Sequence, residues 1–140
     1  MNSEIKRNYL LKILLVASVI STFVHNVDNY LHFDLYPQPS WITPGGVIRS
    51  WIIWTIFGFA GYWLYKNQRF WLSYICLIIY SACGLSSLAH YLYGGRLDEF
   101  SSMMHFFILT DGLTGLAVLG FTIWSGLFLQ ARSGNSHVRV

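Results

Sequence analysis

Four apolar stretches divide this chain, each about as long as a helix needs to be to cross roughly 30 Å of hydrocarbon. They run from about Tyr9 to Phe33, from Val47 to Tyr65, from Phe70 to Tyr93 and from Met103 to Gln130. None shows the strict alternation of a barrel strand. Backbone that faces lipid has to satisfy its own hydrogen bonds, and a helix does so within one segment. The lengths therefore predict an all-α membrane protein, a four-helix transmembrane bundle that makes residues 1–140 a single integral membrane domain. Composition agrees: 54% of the 140 residues are hydrophobic and 11% are charged, against roughly 25% charged in an ordinary soluble domain. So few charges cannot cover the surface of a soluble globule. The net charge of +3 is scattered through short joints and forms no basic stripe, which excludes a nucleic-acid-binding domain.

Lysine and arginine set the expected orientation. Lys6, Arg7, Lys12, Lys66, Arg69, Arg132 and Arg139 fall on one side of a four-span scheme, and Arg49 and Arg96 on the other. By the positive-inside rule both ends are cytoplasmic (N-in/C-in), the loops 34–46 and 94–102 face outward, and the tail 131–140, with His137, lies inside. This describes a multi-pass protein of the plasma (inner) membrane. Lys6 and Arg7 precede an apolar run as they do in a secretory signal. The run continues through His25, Asp28 and His32 with no small-residue cleavage site, so it reads as retained.

The first outer loop contains Pro37, Pro39, Pro44 and the pair Gly45-Gly46, so it cannot be helical throughout and is expected to cap the bundle. Trp41, Trp51, Trp71 and Trp124 are placed to anchor at the interfaces. Gly58, Gly61, Gly112, Gly115 and Gly120 let helices approach closely. Cys76 and Cys83 lie two turns apart on one helix and cannot bridge.

Ionisable residues inside a membrane are costly and point to function. Here they gather at the outward end. His25, Asp28 and His32 share a stripe on the first helix by their i, i+3, i+7 spacing, flanked by Thr22 and Asn29. Cys83, Ser86, Ser87 and His90 make a polar stripe on the third, and His105 and Asp111 stand near the start of the fourth. At 1.5 Å per residue, His25 and Asp111 both lie roughly 12 Å below the outer ends of their helices. They are at matching depth, with Gly112 and Gly115 clearing space beside Asp111.

Imidazole and carboxylate are the usual ligands of zinc, copper and iron. The leading expectation is a transition-metal site of His25, Asp28, His90, His105 and Asp111, with His32 at its edge. Such an ion would activate water or oxygen on a lipid-soluble substrate, with Asp111 as the candidate catalytic acid or base. A second expectation is a metal-free pocket for a lipid- or sterol-like molecule, or an isomerase acting on one. A third is an accessory or transport subunit of a membrane complex, or a homo-oligomer. Membrane lipids are the surrounding partner in each case.

Two family likenesses accompany these residues. Ser86-x-x-x-His90 with Asp111 and His25 resembles parts of the membrane-embedded zinc hydrolases, which are built on more than four helices. The helix count, the long first outer loop and the acids Asp28 and Asp34 resemble the sterol-isomerase and sigma-2-receptor type of four-helix protein. No shared motif transfers a role to any residue of this chain.

Overall fold

A computed structural model of the protein describes residues 3–93, 98 and 100–129. Expectations for Arg96, Glu99, Arg132, His137 and Arg139 lie outside the described residues. The chain folds into α1 (Ser3–Leu31), a short 3-10 turn (Phe33–Leu35), α2 (Pro44–Lys66), α3 (Phe70–Ser86), a second 3-10 turn (Ser87–Ala89), α4 (His90–Tyr93) and α5 (Ser102–Trp124), which runs on into a π-helical turn (Ser125–Leu129). No strand occurs among the described residues. Four helical segments are long and apolar enough to cross a membrane: Glu4–Leu31, Pro44–Lys66, Phe70–Tyr93 and Ser102–Leu127.

Local chemistry fixes the helix ends. Thr43 caps α2 by accepting from the Gly46 amide at 3.1 Å, with Pro44 at the first helical position. Proline is suited to that position because its missing N–H would have had no partner there. Ser101 caps α5 by accepting from the Met104 amide. The α2–α3 joint is tight: the Gln68 amide reaches the Tyr65 carbonyl and the Arg69 amide the Leu64 carbonyl. This places Gln68 at φ 58, in the left-handed region.

The long segments pack as a ring in the order α1, α2, α3, α5 and back to α1, and α1 barely touches α3 across the diagonal. The end that holds the α2–α3 joint has an apolar core of Leu11, Leu15, Leu77, Val118 and Phe121 with the rings of Tyr65, Tyr74 and Tyr80. The hydroxyl of Ser125 sits 2.9 Å from both Tyr65 and Tyr74, and Tyr80 donates to Ser18. A smaller apolar cluster of Tyr36, Phe100, Met104 and Ile108 closes part of the other end. The periphery is strongly apolar: Ile53, Ile56, Phe59, Ile75, Leu113 and Leu116 are all exposed. The helices thus turn serine, threonine and glycine inward and large aliphatics outward, as lipid-facing helices do.

Glycine makes the closest helix contact. A Cβ added at Gly84 would stand 2.7 Å from the Asp111 carbonyl oxygen and 3.0 Å from the Cα of Gly115. Gly112 faces Leu88 in the same seam. The neighbour that comes close at Gly115 is therefore α3, and at Gly112 it is the 3-10 turn that follows α3. Above the seam, Ser86 donates to the Cys83 carbonyl and Ser87 to the carbonyls of Gly84 and Ile108. Such back-bonding tightens and bends a helix. It accompanies the 3-10 turn that precedes His90.

Candidate functional site: a pocket under the first long loop

Where α1 and α3 stand apart, the ring encloses a pocket of about 620 Å³. Its walls come from α1 (His25, Asn26, Asn29), the loop (Gln38 to Thr43), α2 (Val47, Arg49, Trp51, Trp54), the α3–α4 region (Cys83, Ser86, Ser87, His90) and one residue of α5, Asp111. The volume falls in the range of small-molecule sites, and so does the mixture of aromatic wall and few polar groups.

The polar side of the pocket is deeply buried. His25 is 3% exposed, Asn29 4% and Asp111 1%. His25 Nδ1, Asn29 Oδ1 and Asp111 Oδ1 have no hydrogen-bond partner. Leaving such an atom buried and unsatisfied costs about 1–3 kcal/mol, so three among the residues of one pocket mark a place where stability is given up.

His90 ties the site together. Its Nδ1 donates to the Pro37 carbonyl at 2.7 Å, and its Nε2 meets Asn29 Nδ2 at 3.2 Å. The loop, α4 and α1 are thereby joined through one imidazole. The His90 ring lies 5.4 Å from that of His25, and the Tyr36 ring stands edge-on to both, at 5.0 Å from His90 and 5.6 Å from His25.

The remaining sequence candidates lie elsewhere. Asp28 is half-buried and is not one of the residues lining the pocket. It accepts from the Tyr36 hydroxyl at 2.6 Å and meets His32 Nδ1 at 3.0 Å. His32 itself is exposed. His105 bonds the Tyr91 hydroxyl at 2.9 Å and stacks on the Tyr91 ring, close to Phe100. Burial, and then the hydrogen bond and charge of Asp28, hold the Tyr36 phenol well above its ordinary range. The structure thus brings His25, His90 and Asp111 to one pocket and places Asp28, His32 and His105 in two other groups. Among the described residues, no three of His, Cys, Asp and Glu are grouped so as to hold a metal ion.

Sequence reasoning treated Asn29 only as a flank of the histidine stripe and gave Tyr36 no role. Trp51, expected as an interface anchor, is half-buried on the pocket wall and donates from Nε1 to Thr22 Oγ1 at 3.1 Å. Trp41 and Trp71, at 79% and 74% exposed, have the exposure that anchoring requires. Cys83, placed by its spacing in the polar stripe of the third helix, is buried and lines the pocket, and both cysteines are free thiols.

A scan against protein-family models, a search of curated proteins and a search of solved structures each found no match to the chain.

Proposed function

We propose that this chain is a multi-pass protein of the plasma (inner) membrane, with both ends cytoplasmic, whose outward end binds a lipid-soluble small molecule. The observation that carries the reading is the set of unpartnered atoms at His25, Asn29 and Asp111 on the wall of the 620 Å³ pocket. A polar group brought in by a ligand would offset the cost of burying them, while Trp51 and Trp54 offer apolar contact to its body. The orientation rests on the distribution of lysine and arginine. The test is mass spectrometry of molecules extracted from protein purified in mild detergent. A stoichiometric small molecule should accompany the wild type and His32→Ala, and be lost from His25→Ala and Asn29→Leu. Its retention by both pocket variants, at wild-type levels, would dismiss the pocket.

One observation favours a second reading. His25 Nδ1 and Asp111 Oδ1 have no hydrogen-bond partner, and both residues line the pocket. A zinc, copper or iron ion would take such donors and complete its shell with water or substrate. Elemental analysis of the same preparations separates the readings. The metal site requires about one ion per chain, lost with His25→Ala. Metal-free protein that keeps its small molecule leaves the lipid-soluble ligand alone.

A further inference from the structure

The buried polar groups of the pocket include acceptors that have no partner. The Pro37 carbonyl can only accept, so the hydrogen of His90 sits on Nδ1, 2.7 Å away. The neutral ring then presents a lone pair at Nε2, which accepts from Asn29 Nδ2 at 3.2 Å. With its nitrogen turned to His90, Asn29 is left with Oδ1, an acceptor that has no partner. The hydroxyl hydrogens beside it are engaged as well. Ser86 donates to the Cys83 carbonyl at 2.6 Å, and Ser87 donates to the Gly84 carbonyl at 2.7 Å. The carboxyl of Asp111 adds a second unpartnered oxygen.

Resting on the binding function proposed above, we infer that the pocket recognises its lipid-soluble molecule through a hydroxyl group that donates to Asn29 Oδ1 or the Asp111 carboxyl. A ketone, aldehyde or quinone brings only acceptors and leaves Asn29 Oδ1 without a partner. An ammonium is the other strong donor, but it would have to pass the exposed Arg49 guanidinium that lines the same pocket, and like charges repel. Trp51 and Trp54 take the apolar frame of the alcohol.

The experiment is a titration of the purified protein in lipid nanodiscs with two matched pairs, cholestanol with cholestanone and hexadecanol with hexadecanal. Binding is followed by intrinsic fluorescence, since Trp41, Trp51 and Trp54 line the pocket. In at least one pair the alcohol should bind about tenfold more tightly than its carbonyl partner, the size of one hydrogen bond to a buried acceptor. Asn29→Asp keeps the acceptor oxygens and should keep the preference, whereas Asn29→Leu should lose it. A carbonyl compound that binds as tightly as its alcohol overturns the hydroxyl inference and leaves the pocket standing. If none of the four compounds binds, the molecule extracted from purified protein decides. A hydroxyl-bearing extract upholds the inference, one without a hydroxyl overturns it, and an empty extract overturns the pocket as well.

Discussion

Asn29 and His90 are joined by a 3.2 Å hydrogen bond across 61 positions of sequence, and the same imidazole holds the Pro37 carbonyl at 2.7 Å. His90→Leu removes both contacts and leaves the buried Asn29 amide and the part-buried Pro37 carbonyl unsatisfied. The expected loss is about 2–4 kcal/mol, read as a fall in the thermal unfolding midpoint of detergent-purified protein. His90→Gln, with one amide donor and one acceptor, should recover about half of it. Equal stability of wild type and His90→Leu would show that the imidazole does not hold the loop.

Tyr36→Phe deletes the 2.6 Å bond to Asp28 while preserving the ring edge that faces His25 and His90. We expect a cost of about 1–2 kcal/mol near neutral pH. The phenol's proton is held more tightly in the folded chain than in the unfolded one, where it leaves near pH 10.0. Below that pH both states keep the proton and the full contribution is present. Above it the unfolded state ionises first, so stability falls as pH rises. A series of unfolding measurements from pH 8 to 11 should steepen downward beyond about 10 in the wild type and less so in Tyr36→Phe. Parallel curves would remove Tyr36 as the titrating group.

The glycines separate by what surrounds them. Gly84→Ala puts a methyl 2.7 Å from a backbone oxygen, a clash that side-chain motion cannot relieve. Overpacking of this kind costs about 1–3 kcal/mol. Gly120 has nothing within 4 Å of its virtual Cβ, so Gly120→Ala should gain up to about 1 kcal/mol from helix propensity. Opposite shifts of the unfolding midpoint are the expected pair of results, and a neutral Gly84→Ala would show that α3 and α5 can part.

Topology is accessible to labelling. In a background where Cys76 and Cys83 are replaced by alanine, Gln38→Cys should react with an impermeant maleimide from outside intact cells. Gln68→Cys should react only after the membrane is opened. Labelling of both from one side contradicts a single crossing by α2, because Gln38 and Gln68 flank that helix.

The spans were readable because hydrocarbon thickness demands a length, and the four helices keep to the apolar stretches within a few residues. His25, His90 and Asp111 could be found because an ionisable group in an apolar run needs a partner or a cavity. Asn29 could not be ranked, since an asparagine gains its meaning only when the neighbour of its nitrogen is known. Tyr36 lies in the loop, and its approach to Asp28 depends on how the chain turns after α1. His105 and Asp111 are about 120° apart on a helix, and that separation is realised: Asp111 enters the pocket and His105 turns to Tyr91 and Phe100. Asp28 and His25 share a stripe, but their angular difference of about 60° is enough for His25 to line the pocket while Asp28 takes the Tyr36 hydroxyl and His32.

Gly84 does not line the pocket, yet it stands against the carbonyl of Asp111, the one side chain that α5 contributes there. Gly84 and Gly115 act as a gap of minimum width, and any added atom works like a shim between α3 and α5. A shim at Gly84 would lift Asp111 with its helix and widen the pocket without changing any residue that lines it. The width of the pocket can therefore be retuned from outside it, by substitutions whose effect a survey of lining residues would never register.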